Sequence, residues 1–316
     1  MYTSMNTNEN NAELDSRNIK EDEIDLGELI SVIWAGKWLI ISLTLIFSVA
    51  AIVYAINLPN TYKSEVLVAP VEQEQSLGGL QGQLGGLASL AGINLGSGSN
   101  GKSQLAIEIL KSRYFTANFI SKHNILLDLM ASESWAFESN KIIYDSDIYD
   151  VINNTWVRDV SLPLKPKPSM QEAYEVFSEI MHISSDEVTG MVRVSVEHVS
   201  PFIAQQWATW LVEDINITMK IRDVKEAQES TEFLTSELEK IQISDIREVL
   251  FSLIEEQTKT IMFANVRDEY VFKTIDPALV LEKKSGPNRA IICILGMMLG
   301  GVLGLVIVVF RYISKK

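Results

Sequence analysis

Two long uncharged apolar runs lie close to the two ends of the 316-residue chain. The first run is Trp38–Leu58 and the second is Ala290–Phe310, each of 21 residues. An α-helix rises about 1.5 Å per residue, and about 20 residues cross the hydrocarbon core of a bilayer. Because basic residues bracket both runs (Lys37, Arg289 and Arg311), we predict two membrane-spanning helices rather than two buried core helices.

The charge of the short tails predicts which side of the membrane each part occupies. Residues 311–316 carry three basic side chains and no acid. Basic residues hold short segments in the cytoplasm, whereas acidic residues contribute little and long loops cross largely regardless of charge. We therefore expect both tails to be cytoplasmic and residues 59–289 to be exported, although the N-terminal tail, 1–37, is acidic.

Shorter patterns predict two strands and a turn between the runs. The segment Tyr62–Ala69 is rich in strand-forming residues and is ended by Pro70. The segment Met191–Val199 has valine at alternate positions, which is typical of a half-buried strand. Residues 185–190 are expected to form the turn of a hairpin that leads into it.

Helical periodicity and capping residues predict the helices of the same region. The helix expected at 200–241 is unusually long for a globular protein, and we predict that it forms an extended arm. The expected helices are 103–123 with Ser103 as N-cap, 169–181 with the capping box Ser169-x-x-Glu172, 200–241 opened by Ser200 and Pro201, and one capped by Ser244.

Two other segments are interpreted from their pattern. Residues 26–34 carry one apolar helical stripe, which predicts an interfacial helix on the cytoplasmic face with Trp34 and Trp38 at the headgroup level. Residues 76–101 are rich in Gly, Leu, Ser and Gln. This composition disfavours a stable helix, and we expect a partly ordered loop.

Together these patterns predict an α+β membrane protein. Two transmembrane helices flank a periplasmic α/β base domain that bears an extended helical arm. The expected divisions are a cytoplasmic tail with the interfacial helix (1–37), transmembrane helix 1 (38–58), the periplasmic domain (59–289, with the Gly-rich loop at 76–101 and the arm at 200–262), transmembrane helix 2 (290–310) and a second tail (311–316).

Composition excludes several kinds of partner. The net charge is −14, and residues 59–289 contain 21 Lys and Arg against 33 Asp and Glu. An acidic surface of this kind repels nucleic acid, so no nucleic-acid partner is expected. The only cysteine, Cys293, lies in the second apolar run, so the exported part has no disulfide and must build its own core.

One motif points to a nucleotide. Gly96–Ser103 fits the phosphate-binding pattern G-x-x-x-x-G-K-[ST]. The pattern requires a buried parallel strand before it, and residues 87–95 are a weak candidate for one. The predicted topology also places the motif outside the cytoplasm. We interpret it as a chance match in a glycine-rich loop, with Lys102 as a solvated charge.

No catalytic, cofactor-binding or metal-binding set is predicted. His123, His182 and His198 are scattered without metal-ligand spacing, and the acidic residues are spread evenly. The second run does carry a packing signal. Gly296, Gly300 and Gly304 recur every four residues, a spacing that lets another membrane helix approach closely.

Several short segments resemble the Wzz-type chain-length determinants, the polysaccharide co-polymerases of bacterial surfaces. The family usually has one more proline in the last of these segments, where Leu281 stands here. The resemblance is carried by Ile24-Asp25-Leu26 with Leu29, Tyr62-Lys63-Ser64, Phe263–Tyr270, and the proline segment from Asp276-Pro277-Ala278 to Gly286-Pro287-Asn288-Arg289.

The resemblance implies a non-enzymatic inner-membrane protein that needs no cofactor. Members of the family form homo-oligomeric rings in the membrane lipid and set the modal length of a glycan. Their partners are the membrane polysaccharide polymerase and the nascent lipid-linked glycan. Six residues follow the second run, so no fused kinase domain is expected, which favours the O-antigen type.

Two alternatives stay open. The chain could be a capsule or exopolysaccharide co-polymerase or export protein that works with a separate tyrosine kinase. A more remote alternative is a membrane-anchored nucleotide-binding enzyme.

Overall fold

The computed structural model describes residues 32–71 and 98–314. The chain divides into two compact units. The first, here called the helix-pair unit, comprises Met1–Leu58 and Asn288–Lys316, and the second, the mixed unit, is Pro59–Pro287. Most of the predicted interfacial helix at 26–34 and of the glycine-rich loop at 76–101 lies outside the described residues.

The described elements alternate between helices and short strands. In chain order they are α1 (Lys37–Asn57), β1 (Tyr62–Pro70), α2 (Gly98–Leu110), α3 (Arg113–His123), α4 (Leu126–Met130), β2 (Ser132–Ala136), β3 (Lys141–Tyr144), β4 (Tyr149–Asp150), β5 (Thr155–Trp156), α5 (Met170–Ile180), β6 (Met181–Ser185), β7 (Val192–His198), α6 (Pro201–Lys240), α7 (Ser244–Val266), β8 (Phe272–Asp276) and α8 (Arg289–Ile313).

The helix-pair unit contains α1 and α8. Both helices are long and apolar enough to cross a membrane. Few of their side chains are buried within the unit. Such exposed apolar surface is expected of helices that face lipid.

The mixed unit is built on an antiparallel sheet of four strands in the order β6-β7-β1-β8. Valines on β1 and β7 oppose each other, for example Val66 opposite Val194 and Val68 opposite Val192, and all four are buried. The first half of α6 covers this face with the buried side chains of Trp207 and other apolar residues. The predicted strands and the α+β character are confirmed at this level.

The predicted hairpin turn before β7 is also confirmed. Strands β6 and β7 pair from Met181 opposite Val196 to Ser185 opposite Val192. Between them the Asp186 carboxylate accepts the backbone N–H groups of Val188 and Thr189, and Gly190 has a φ of +68°. A glycine suits this left-handed position because it has no Cβ.

Two of the helix predictions are wrong in detail. The predicted single helix 103–123 is two helices, because Ser112 caps α3 by accepting the N–H of Phe115 at 3.2 Å. Ser103 is not an N-cap, since α2 begins at Gly98. In contrast, the capping box of Ser169 and Glu172 on α5 is confirmed, with both of its hydrogen bonds formed.

The helices α6 and α7 form the arm. Helix α6 has 40 residues and α7 has 23, and residues 241–243 connect them. The guanidinium of Arg247 donates to the carbonyl oxygens of Leu238 and Ile241, each at 3.1 Å, and so satisfies the open end of α6. Ser244, predicted to be the cap of α7, is instead its first helical residue.

Candidate functional site

The three glycines predicted as a packing face lie against α1. A Cβ built on Gly300 would lie 2.8 Å from the Phe47 Cβ and 2.9 Å from the Thr44 Cα. A Cβ on Gly304 would lie 2.9 Å from the Ile40 Cα, and one on Gly296 would overlap the Ala51 Cβ. Carbon atoms pack at about 3.5–4.0 Å, so only glycine allows this approach of the two backbones.

The partners of these glycines show that α1 and α8 run antiparallel. As the α8 residue number rises from 296 to 304, the facing α1 residue falls from Ala51 to Ile40. One step further, a Cβ on Gly36 would lie 2.6 Å from both γ-carbons of Val308. Gly36 was not predicted from the sequence. Its signal was the spacing of four residues to Ile40, which continues the same helical face.

Hydroxyl groups of α1 donate to carbonyl oxygens of the same helix. The Thr44 hydroxyl donates to the Ile40 carbonyl and the Ser48 hydroxyl to the Thr44 carbonyl, both at 2.7 Å. A hydroxyl bonded to its own helix can face an apolar environment at little cost. At the other end, Arg289 donates to the Leu58 carbonyl at 3.3 Å, which ties the start of α8 to the end of α1.

The predicted proline segment lies in the mixed unit and returns along the start of β1. Pro277 directly follows β8. Two residues later, the Leu279 carbonyl oxygen accepts a hydrogen bond from the Ser64 hydroxyl at 2.7 Å. Close to Pro287, the N–H of Thr61 donates to the Gly286 carbonyl at 3.0 Å. The two chain segments that lead to α1 and α8 are therefore bonded to each other.

The interpretation of Lys102 as a solvated loop charge is wrong. Helix α2 already begins four residues before it, and its ammonium lies 2.8 Å from the Asp223 carboxylate on α6. The hydroxyl of Tyr270 donates to the same carboxylate oxygen at 2.8 Å. Burial, followed by this hydrogen bond to Asp223, raises the pKa of the Tyr270 phenol. Lys102 thus joins α2 to the root of the arm.

A second carboxylate anchors α3 to α6. Asp214 is almost fully buried and accepts Lys122 and the Nε2 of His123, the latter at 2.9 Å. The imidazole of His123 stacks on Trp210 with ring centroids 4.0 Å apart. Two bonds to one buried carboxylate fit a structural anchor.

The buried imidazole of His198 makes two hydrogen bonds close to the start of α6. Its Nδ1 accepts the N–H of Ser200 at 3.0 Å, so Nε2 carries the proton and donates to the Asp128 carbonyl, also at 3.0 Å. Burial lowers the pKa of His198, so the ring is neutral. Among residues 32–71 and 98–314, no three side chains of the types that ligate metals come together.

Part of the chain matches the model of a known protein family. Residues 22–123 match the family model described as chain length determinant protein, Wzz. The matched segment contains α1, β1, α2 and α3 and ends where α3 ends. The match supports the predicted family resemblance over this segment, which is similar to a chain length determinant domain.

Two solved structures are similar to the chain. One is a full-length bacterial polysaccharide co-polymerase, with 15% identity, 93% of this chain and 98% of the other covered, and a TM-score of 0.36. The other is a fragment of WzzB, a polysaccharide co-polymerase from Salmonella Typhimurium, with 12% identity, 72% and 100% covered, and a TM-score of 0.25. The comparison with curated proteins found no match.

Proposed function

We propose that this chain regulates polysaccharide chain length in lipopolysaccharide O-antigen biosynthesis, as a ring-forming scaffold beside the membrane polymerase. The observation that carries the proposal is the chain length determinant match, which spans the first apolar helix and the first strand of the mixed unit. Its action is non-enzymatic, and it depends on contacts with the polymerase and the nascent lipid-linked glycan.

The proposal includes a topology in the inner membrane. Helices α1 and α8 cross it, both termini are cytoplasmic, and the mixed unit is periplasmic. The basic tail at 311–316 supports this orientation. A reporter that is active only in the periplasm should be active when inserted after Ser139, in the turn between β2 and β3, and silent after Lys316. The opposite pattern would contradict the topology.

The exposed surface of the arm supports the homo-oligomer. Beyond Met219, the buried side chains of α6 and α7 are the small ones of Ala227 and Ala264. Large apolar side chains are exposed along the rest of the arm. Large apolar side chains exposed together on a water-facing surface are typical of a protein interface. The exposed set includes Ile221, Phe233, Val249, Phe251, Met262 and Phe263.

The proposal is tested by gel analysis of the lipopolysaccharide from a strain in which the gene for this chain is deleted. We expect the deletion to replace a modal O-antigen length by a broad, short-weighted distribution on a gel, and a plasmid copy to restore the mode. Unchanged O antigen with an altered capsule or exopolysaccharide would assign the chain to the kinase-partnered alternative. Unchanged glycans of every kind would refute the proposal.

A further inference from the structure

Three aromatic side chains of the mixed unit cluster around Trp135 on the β2–β3 hairpin. The ring centroids of Tyr62, Phe137 and Phe202 lie 5.7, 5.6 and 6.0 Å from that of Trp135. Phe137 stands in the hairpin turn and is 81% exposed, and Phe202 is 45% exposed. The hairpin therefore presents an apolar tip that is supported from behind by packed rings.

The tip is held on a short tether to both apolar helices. Tyr62 comes five residues after Asn57, the last residue of α1. Five residues extend at most about 17 Å, so the chain itself keeps Tyr62 near the end of α1 in any arrangement of the two units. Thr61 is bonded to Gly286, three residues before α8 begins at Arg289.

The chemistry of the tip suits a lipid surface better than a sugar. The indole N–H of Trp135 already donates to the Asn140 side chain at 2.9 Å. The exposed ring is a phenyl group, which offers no hydrogen bond to sugar hydroxyls that would lose water on binding. Aromatic rings near the end of a membrane helix commonly lie at the level of the lipid headgroups.

The charges around the tip do not select an anionic ligand. Glu138 lies in the hairpin turn and Glu133 on β2, whereas Lys141 begins β3 and Lys63 lies on β1. Their formal charges cancel. A contact made here depends on apolar surface rather than on attraction to a phosphate.

We propose that Phe137, backed by Trp135, Tyr62 and Phe202, inserts into the headgroup layer on the exported side of the membrane. The inference rests on the membrane topology given under Proposed function. The contact would anchor the mixed unit to the bilayer at a third point besides α1 and α8. It would also limit the tilt of that unit relative to the membrane.

The experiment uses fluorescent labels on the full-length protein. Cys293 is the only cysteine, so Cys293→Ser provides a background in which Phe137→Cys can be labelled with an environment-sensitive fluorophore. The protein is reconstituted in phosphatidylcholine vesicles containing lipids that carry a quencher close to the headgroup. We expect blue-shifted emission and strong quenching of the Phe137 label, unchanged when phosphatidylglycerol is added.

Val188→Cys is the matched control. Val188 is 94% exposed in the β6–β7 turn. The sheet register places that turn beyond Val68, six residues along β1 from Tyr62, or about 20 Å at 3.3 Å per residue. We expect a label at this position to keep its emission in water and to be insensitive to the quencher.

The outcomes separate the inference from the proposed function. Flotation of the protein with the vesicles and a Phe137 label that is no more quenched than the Val188 label would contradict the inference alone. Failure to float would refute the membrane topology itself. A Phe137 label that responds to soluble O-antigen fragments and not to quencher lipids would identify a sugar site and overturn the inference.

Discussion

The chain contains two antiparallel helix pairs that bury small residues and expose large apolar ones, and they differ in what surrounds them. In the helix-pair unit, α1 and α8 meet through glycines, and most of the large apolar residues point outward. In the arm beyond Met219, the buried side chains are Ala227 and Ala264, and large apolar residues are again exposed. The same exposed surface has different consequences in the proposed topology, because lipid would cover it around the first pair whereas water would surround the second.

The difference in surroundings indicates which kind of substitution would disturb each pair. The contact of α1 with α8 is limited by steric fit, since lipid is as apolar as the side chains and gives no hydrophobic drive for association. The arm of the single chain has a surplus of apolar surface, so its stability depends on what covers that surface. Substitutions in the two pairs should therefore disturb different properties.

The largest effect is expected from Gly300→Leu. The added side chain would meet the backbone of α1 at Thr44, so the helices must separate, at a cost of up to about 3 kcal/mol. We expect a lower midpoint of unfolding in detergent and an altered O-antigen length. Gly301→Leu is the matched control, because a Cβ there meets only the Thr44 hydroxyl at 3.8 Å. Equal effects of both variants would show that the glycine face does not limit packing.

The next effect is a pH dependence of the free energy of unfolding, caused by His198 just before α6. Burial lowers the pKa of His198, so the unfolded chain, with a histidine pKa of about 6.5, binds a proton that the folded chain excludes. The contribution is fully present above that pH and is lost as pH falls below it, by at most about 1.4 kcal/mol per unit. Denaturant unfolding at pH 7, 6 and 5 measures it.

Two histidine variants isolate this contribution. His198→Gln should be less stable at pH 7 and should show a smaller drop between pH 7 and pH 5 than the unsubstituted chain. His182→Gln should keep the original drop, because His182 is half exposed. A drop that is the same in all three proteins would assign the acid sensitivity to other groups.

A smaller effect is expected from Lys102→Ala. The variant removes one of the two partners of Asp223, which is 13% exposed, and should cost about 1 kcal/mol. Lys225→Ala serves as control, because the Lys225–Glu229 pair spans 3.8 Å on an exposed face. A nucleotide site would behave differently: the variant would lose ATP binding and all function at unchanged stability.

Arg247→Ala probes the end of the arm. Loss of the guanidinium leaves the carbonyls of Leu238 and Ile241 to water, at a cost of about 1 kcal/mol or less. We expect faster hydrogen exchange at the end of α6 with no change in the sheet. Lys259→Ala, which removes an exposed pair with Glu255 on the same helix as Arg247, should leave the exchange unchanged.

Local sequence signals were sufficient for much of the fold. The apolar runs, the alternation of Met191–Val199 and the capping box at Ser169 each depend on neighbours within one element, and each predicted its element. The break at Ser112 was missed because no glycine or proline marks it. Its only signal is the hydroxyl that caps α3.

Contacts between distant residues were beyond the sequence analysis. Lys102 and Asp223 are 121 residues apart, and nothing near either residue indicates the other. The same holds for Tyr62 and Trp135, which meet only because the β2–β3 hairpin folds beside the start of β1. The pattern of residue types predicts helices and strands, but the contacts between residues far apart in the sequence depend on tertiary packing.

Phe233→Glu tests whether the arm is the oligomer interface on which length control depends, measured as O-antigen length in the deletion strain and as particle mass in detergent. Phe233 is 64% exposed on the arm, so the single chain should fold normally. We expect a smaller particle and loss of the modal length, whereas Tyr114→Glu, at the exposed Tyr114 on α3, should keep both. A Phe233→Glu protein with unchanged particle mass and unchanged modal length would show that the arm is not this interface.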